Sequence, residues 1–356
     1  MSTFVLVDHQ VDPSVGATVS VVQTEYHRAL LSDETVIGME YRPREYRLQA
    51  VFSAMALMQV VAFLAPTPQR ALCLGLGAGT APHFLRASAI HTDVVEYDAA
   101  VIALAEKHFV FGSDERSAIV GGGAVRHADA IALVESGAPP ASDAQRYDVV
   151  LSDLWSGGND GRALRLSFFD RIKSSWLRPK GVLAVNLVAF HSGEHVALAQ
   201  RVARTMRAAF AFVKVFAEYD ASGQHDAEDA LPASAEPSNL LIVGSDEQIR
   251  FDYAAFRNAR HYHYPYDDLP PEPGSMFEVH ENFERWQPPE LRSPLPELEV
   301  AEVVEVCEPI VTKADWEALA EERAAVAAGM HAVQAQLLPK EGWALLKDLG
   351  KAKAEL

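Results

Sequence analysis

With 356 residues, 49% of them hydrophobic, the chain can bury a sizeable core as one large domain with appendages or as two domains, which excludes global disorder. Its 49 acids against 31 bases give a net charge of −18, which leaves no evident basic face for nucleic acid and suits cationic substrates or basic protein surfaces. Two distant cysteines, a start (MSTFVLVDHQ) without a secretory pattern, and no apolar run near the ~20 residues of a membrane span set the remaining expectations: a cytoplasmic chain, no disulfide, no membrane partner.

Residues 17–23 and 36–41 are strand-like runs around EYHRALL, with Ser32-Asp33-Glu34 as a turn. Residues 1–43 therefore read as a small N-terminal β-hairpin module. A helix over 44–64 then delivers the chain to ALCLGLGAGTAPHFL, residues 71–85: a short apolar strand, glycines at 75, 77 and 79, and a helix-like stretch. About twenty residues on, DVVEYD is a second strand closing in acid at Glu96. That combination holds a nucleoside in an open α/β sheet, because glycines allow a sharp turn and close approach while the acid accepts hydrogen bonds from ribose hydroxyls.

The position three after Gly77 is Thr80 and not the glycine of a dinucleotide fingerprint. Alternating Gly75, Gly77 and Gly79 suit a ligand of the S-adenosyl-L-methionine type, which has no pyrophosphate to cradle. VRHADA is a third strand with Asp129 and Ala130 at its end, and YDVVLSD a fourth ending at Asp153. Ligands bind outside the carboxyl ends of such strands, so Gly75 to Gly79, Glu96, Asp129 and Asp153 are expected to converge on one crevice. Each acid taken singly could equally be a helix N-cap or a solvated charge.

Helices are expected over 78–87, 99–109, 128–136 and 164–176, the last stopped by Pro179-Lys180-Gly181. A strand at 181–188 and a helix at 194–210 follow, then an antiparallel pair at 212–219 and 239–244 around an acidic loop at 220–238. Residues 44–258 form the nucleoside-binding domain on this reading. Residues 259–356 are a Pro- and acid-rich extended segment followed by C-terminal helices, the first capped near Thr312 and running to about 338. His261-Tyr262-His263-Tyr264 reads as an aromatic surface strap, and no metal site is expected.

Across residues 17–245 the chain resembles the spermidine synthase-like branch of the class I S-adenosylmethionine-fold transferases. The carriers are VVQTEYHRALL, LGLGAGT, VVEYD, HADA, DVVLSDLWSGG, SFFDRI and LRPKGVLAVNLV. The resemblance implies a Rossmann-like, mostly parallel sheet with an antiparallel last strand, and S-adenosyl-L-methionine or a close relative as the donor. It implies that Gln23 and Glu96 hold the nucleoside, that Asp129 with Ala130 meets the adenine, and that Asp153 faces the acceptor. It also implies pairing of subunits, and the tail helix offers a face for a homodimer.

The chain departs from the polyamine-making members at three places. Ala78 stands where they carry an Asp in the glycine loop, Leu154 replaces their second acid after the fourth strand, and Arg47-Leu48-Gln49 lacks the acid of their entry helix. A dicationic substrate would be poorly compensated for desolvation there. The expectation is methyl transfer from S-adenosyl-L-methionine to an amine on a small molecule or protein. Asp153 would orient or deprotonate the acceptor, Trp155 would form a cation-attracting wall or simply pack, and Tyr26 and His27 are candidate lid residues. The rival readings are aminopropyl transfer from decarboxylated S-adenosylmethionine and a silent scaffold that keeps the fold.

Overall fold

The computed structural model describes residues 5–43, 48, 50–51, 53–112, 122–155, 158–190, 194–217, 237–252, 308–336 and 343. The acidic loop up to residue 236, the His261 to Tyr264 aromatics, and Arg47 and Gln49 lie outside them.

The N-terminal module is larger than a hairpin. Four strands, β1 (Val5–Val11), β2 (Thr18–Gln23), β3 (His27–Ser32) and β4 (Thr35–Tyr41), form an antiparallel meander. The segment read as a connection, HRALLS, is itself β3, because its apolar residues turn inward: Ala29, Leu30 and Leu31 are buried.

The second sheet has seven strands in the order β10-β11-β9-β8-β5-β6-β7. Five run parallel: β5 (Arg70–Leu74), β6 (His91–Glu96), β7 (Val125–His127), β8 (Tyr147–Ser152) and β9 (Leu177–Ala189). β11 (Ser238–Ser245) is antiparallel to both β9 and the edge strand β10 (Phe212–Ala217). Strand order reverses between β5 and β8, and their carboxyl ends open the crevice at that switch point.

Of the helix expected over 44–64, the described residues hold α1 (Ser53–Gln59) and a 3₁₀ turn at Val60–Phe63, where two adjacent β-branched residues crowd a regular turn. α2 (Thr80–Ala87) begins after Gly79, and α3 (Ala99–His108) is capped by the Asp98 carboxylate. α4 (Ala130–Ser136) and α5 (Leu166–Arg171) follow, with a π-type turn at Ile172–Trp176 after α5. Pro179-Lys180-Gly181 does not precede β9 but bulges from it: Tyr147 pairs with Leu177 and Val149 with Val182, so Asp148 faces four residues. Pro179 has no N–H for the ladder, and the Asp148 carboxylate holds Arg178 instead at 2.9 and 3.1 Å. α6 (Ala197–Ala209) precedes β10, and the tail contributes α7 (Lys313–Glu317) and α8 (Ala320–Gln336), with the expected Thr312–Asp315 capping box.

Each face of the sheet has its own core. On one, α1 to α3 share a cluster with Val19, Val21 and Leu30 of the N-terminal sheet. On the other, α4 to α6 share one with Ile310, Trp316, Leu319 and Val326 of the tail. Polar contacts pin both additions. Asp8 holds Lys107 and His108 at 2.6 and 2.7 Å, and the Glu40 carboxylate accepts the Val110 N–H at 2.9 Å. Arg201 reaches the Glu308 and Asp315 carbonyls at 3.0 and 3.1 Å, and Thr205 accepts the Ile310 N–H at 2.8 Å.

Candidate active site

One cleft of about 190 Å³ opens at the carboxyl ends of the parallel strands, and it brings Gly75, Gly77, Glu96, Asp153 and Trp155 together. The glycine bend is set by two close approaches. A Cβ on Gly75 would stand 2.3 Å from the Asp153 carbonyl, and one on Gly77 would stand 2.4 Å from the Ile37 carbonyl of β4. Both glycines have positive φ, +99° and +53°, so an L side chain there is excluded by conformation as well as by space. The N-terminal sheet is thus part of the site, closing over the loop through Ile37.

Glu96 ends β6 and is almost buried. Its Oε2 accepts the Leu76 N–H at 2.9 Å, tying the strand-end acid to the glycine bend, and its Oε1 accepts the Tyr97 and Asp98 N–H groups at 2.8 and 3.0 Å. Burial pushes its pKa up, and these three backbone donors oppose the shift. A carboxylate has about four acceptor positions, so one lone pair remains for a ligand hydroxyl.

Asp98 is a functional candidate that sequence reasoning passed over. Its Oδ1 accepts the Ala100 N–H at 2.8 Å and caps α3. Its Oδ2 is buried without a hydrogen-bond partner although the residue lines the cleft. An unsatisfied buried carboxylate oxygen is costly, and a ligand donor beside Glu96 would relieve it. The VVEYD motif contained the signal as a second acid two residues on.

Asp153 follows β8, and its N–H donates to the Leu74 carbonyl at 2.9 Å. Its Oδ1 accepts Asn186 Nδ2 of β9 at 2.9 Å. Burial raises its pKa, and the Asn186 bond offsets part of that rise, so Asp153 takes up a proton more readily than an ordinary carboxylate. Donating through Nδ2 leaves Asn186 Oδ1 buried and unpartnered. Beyond Asp153 the lining is Trp155, Val188, Pro237, Asn239 and, from the tail helix α8, Met330. Nothing in the local pattern of the tail pointed to Met330. It arrives because Trp316 packs flat on Gly161 and Gly329 abuts Pro237.

Other expected site residues do not line the cleft. Gln23 and Tyr26 flank the β2–β3 turn, about 17 Å of strand from the β3–β4 turn that does contribute, through Ser32, Val36 and Ile37. Gln23 instead accepts a hydrogen bond from Arg28 at 3.4 Å. His27 is buried in β3 with its ring 5.2 Å from that of Tyr41, and burial pulls its pKa down to about 4. Gly79 starts α2. The Asp129 carboxylate caps α4 through the Ile131 and Ala132 N–H groups at 2.8 and 3.1 Å, and Ala130 is buried behind it. Their turn nonetheless adjoins the cleft, since the Ala128 N–H donates to the Glu96 carbonyl at 2.9 Å.

The described lining holds three carboxylates and no lysine, arginine or histidine. With a backbone-tight bend and two unpartnered acceptor oxygens, it fits a ligand that brings hydrogen-bond donors and positive charge. Among the described residues there is no group of side chains able to hold a metal ion, and no helix is long and apolar enough to cross a membrane.

No family model matches the chain. Over 156 residues it is 28% identical to a polyamine aminopropyltransferase of Vibrio vulnificus (strain CMCP6), a match covering 43% of this chain and about half, 48%, of that relative. Among solved structures it is similar to a probable spermidine synthase from Corynebacterium glutamicum, with TM-score 0.50 and 16% identity over 73% of this chain and 84% of the other. The spermidine synthase of Thermotoga maritima matches with TM-score 0.50 and 14% identity over 71% and 78%. These likenesses, with the mostly parallel seven-stranded sheet and the N-terminal antiparallel sheet, show that the chain has the spermidine synthase-like form of the class I methyltransferase fold.

Proposed function

We propose that the cleft transfers the aminopropyl group of decarboxylated S-adenosylmethionine to an amine. The observation that carries this reading is the charge of the lining. Among the described lining residues, three acids and no cationic side chain favour a donor without a carboxylate over S-adenosylmethionine, which brings one. The aminopropyltransferase relative supports the same choice over the methyl transfer expected from the sequence departures.

The donor's nucleoside lies on the Gly75–Gly77 bend, its ribose hydroxyls on Glu96 and Asp98 Oδ2, and its base toward the turn at Asp129 and Ala130. When bound, the sulfonium supplies an electrophilic carbon: the amine lone pair forms the N–C bond as the C–S bond breaks, and that electron pair stays on sulfur as a neutral thioether. Asp153 first accepts the proton of the arriving ammonium and later releases it to solvent. Asn186 fixes the Asp153 carboxylate through Nδ2 and offers Oδ1 to a second N–H of the acceptor. Positioning and proton removal are the main demands of such a displacement.

Methyl transfer is the second reading, favoured by Ala78 and Leu154 in place of acids. Ala78 is buried with its methyl group against Gly38, where a Cβ would come within 2.6 Å, so this part of the loop is closed by β4. The coproduct separates the readings. Purified protein is incubated with each donor and a panel of amines. Methylthioadenosine from the decarboxylated donor supports aminopropyl transfer, S-adenosylhomocysteine from S-adenosylmethionine supports methyl transfer, and neither product, with no heat on titrating the donors, supports the scaffold.

A further inference from the structure

We infer that the amine acceptor is a monoamine with an uncharged, apolar body, and not a diamine or polyamine. This rests on the reading that the cleft alkylates an amine, and it holds for either donor. The cleft divides at Asp153. Its acidic end is Gly75, Gly77, Glu96, Tyr97 and Asp98, with Ile37 as a roof. The other end is built where Asn239 of β11 pairs with Val188 of β9, and there the described lining is Asn186, Val188, Asn239, Pro237, Trp155 and Met330. No carboxylate stands among these six.

One ammonium is provided for. Asp153 takes its proton, and the unpartnered Asn186 Oδ1 accepts another N–H. Among the described residues, a second ammonium on the far side of Asp153 would meet two amides, an indole, a thioether and two aliphatic side chains. The indole face returns only part of a cation's lost hydration. Removing an ammonium from water into a site without a counter-charge costs more than the indole returns, so desolvation wins. An alkyl or aryl body reverses the balance, because Val188, Pro237, Trp155 and Met330 then bury apolar surface against it. Met330 reaches the cleft because the tail helix docks there with Gly329 against Pro237, so the tail helps set acceptor choice.

The test compares putrescine with n-pentylamine, in which a methyl group replaces the second ammonium. Each is supplied with whichever donor yields coproduct, so donor identity and acceptor preference are read separately. kcat/KM for n-pentylamine is expected to exceed that for putrescine by about 10- to 100-fold. Equal values, or preference for putrescine, overturn the inference. If neither donor turns over, calorimetry on the full chain saturated with methylthioadenosine ranks the same two amines. Tighter n-pentylamine supports the inference even as the reaction assignment fails; tighter putrescine, equal affinity, or no heat with either overturns it. Two variants place a carboxylate in the neutral end, Asn239→Asp, which keeps the side chain's shape, and Met330→Glu on the tail helix. In each that folds, by circular dichroism, the n-pentylamine to putrescine ratio is expected to fall at least about tenfold. Unchanged ratios in both overturn the proposal.

Discussion

The two faces of the central sheet carry different additions and deliver different chemistry to one cleft. The face under the N-terminal sheet and α1 to α3 builds the end with the glycine bend, Glu96 and Asp98, where backbone amides fix every acid. The face under α4 to α6 and the tail builds the end with Trp155, Val188 and Met330, where side chains alone shape the wall. A site organised by backbone tolerates little change, whereas one walled by side chains, one of them from the tail helix, can be re-specified by single substitutions. Asp153 stands at the boundary and belongs to both.

The sharpest break of this contrast is at that boundary. Asp153→Asn keeps an oxygen to accept Asn186 Nδ2 but cannot take a proton, so kcat is expected to fall about 10²- to 10⁴-fold with donor affinity nearly unchanged. Loss of donor affinity at unchanged kcat would move Asp153 to the donor end. Because burial raises the Asp153 pKa, activity is expected to fall with acid at a pH above the ordinary carboxylate range. The stability sign is opposite: a carboxyl whose folded pKa is raised favours folding in acid and loses that contribution as pH rises through the folded value. The Asn variant should therefore melt higher than the parent at neutral pH, with the gap closing in acid, as followed by thermal unfolding across pH.

At the backbone-organised end, Glu96→Ala is expected to weaken donor binding by about 1–3 kcal/mol and to leave the KM of the acceptor alone. It also strips the acceptor from the Leu76, Tyr97 and Asp98 N–H groups, so the melting temperature should drop with it. Unchanged donor affinity by calorimetry would remove Glu96 from the ribose site. Gly77→Ala is expected to cost about 1–3 kcal/mol, since its Cβ meets the Ile37 carbonyl at a positive φ. An unaffected denaturation midpoint would mean that β4 yields freely and is no roof. The smallest effect belongs to the side-chain wall: Met330→Ala should raise acceptor KM by about 1 kcal/mol equivalent without touching the donor, which paired titrations of donor and acceptor can check.

Much of the sheet was legible because strand, bend and helix signals are local. ALCLGLG, VVEYD and YDVVLSD each announce a strand and its carboxyl end, and their order places Gly75, Gly77, Glu96 and Asp153 at one edge. Asp129 was less legible, since the same residue type at a strand end can face a ligand or cap the next helix, and its carboxylate caps α4. Gln23 was drawn toward the site by resemblance and Tyr26 as a lid residue of the hairpin, yet the meander turns its other end, Ser32 to Ile37, to the cleft. Which end of a hairpin docks is a matter of register against a distant surface, invisible in the hairpin itself.

By itself the sequence determined the alternation of strands and helices, the bend that only glycine can make, and the acids at the strand ends, because each depends on neighbours a few residues away. Only the tertiary structure decided that β4 roofs the glycine loop, that Asn186 and Asp98, which line the cleft, keep buried oxygens without partners, and that Met330 walls its far end. Those depend on which buried surfaces meet across the whole chain, and long-range packing leaves no periodic trace in the residues that carry it.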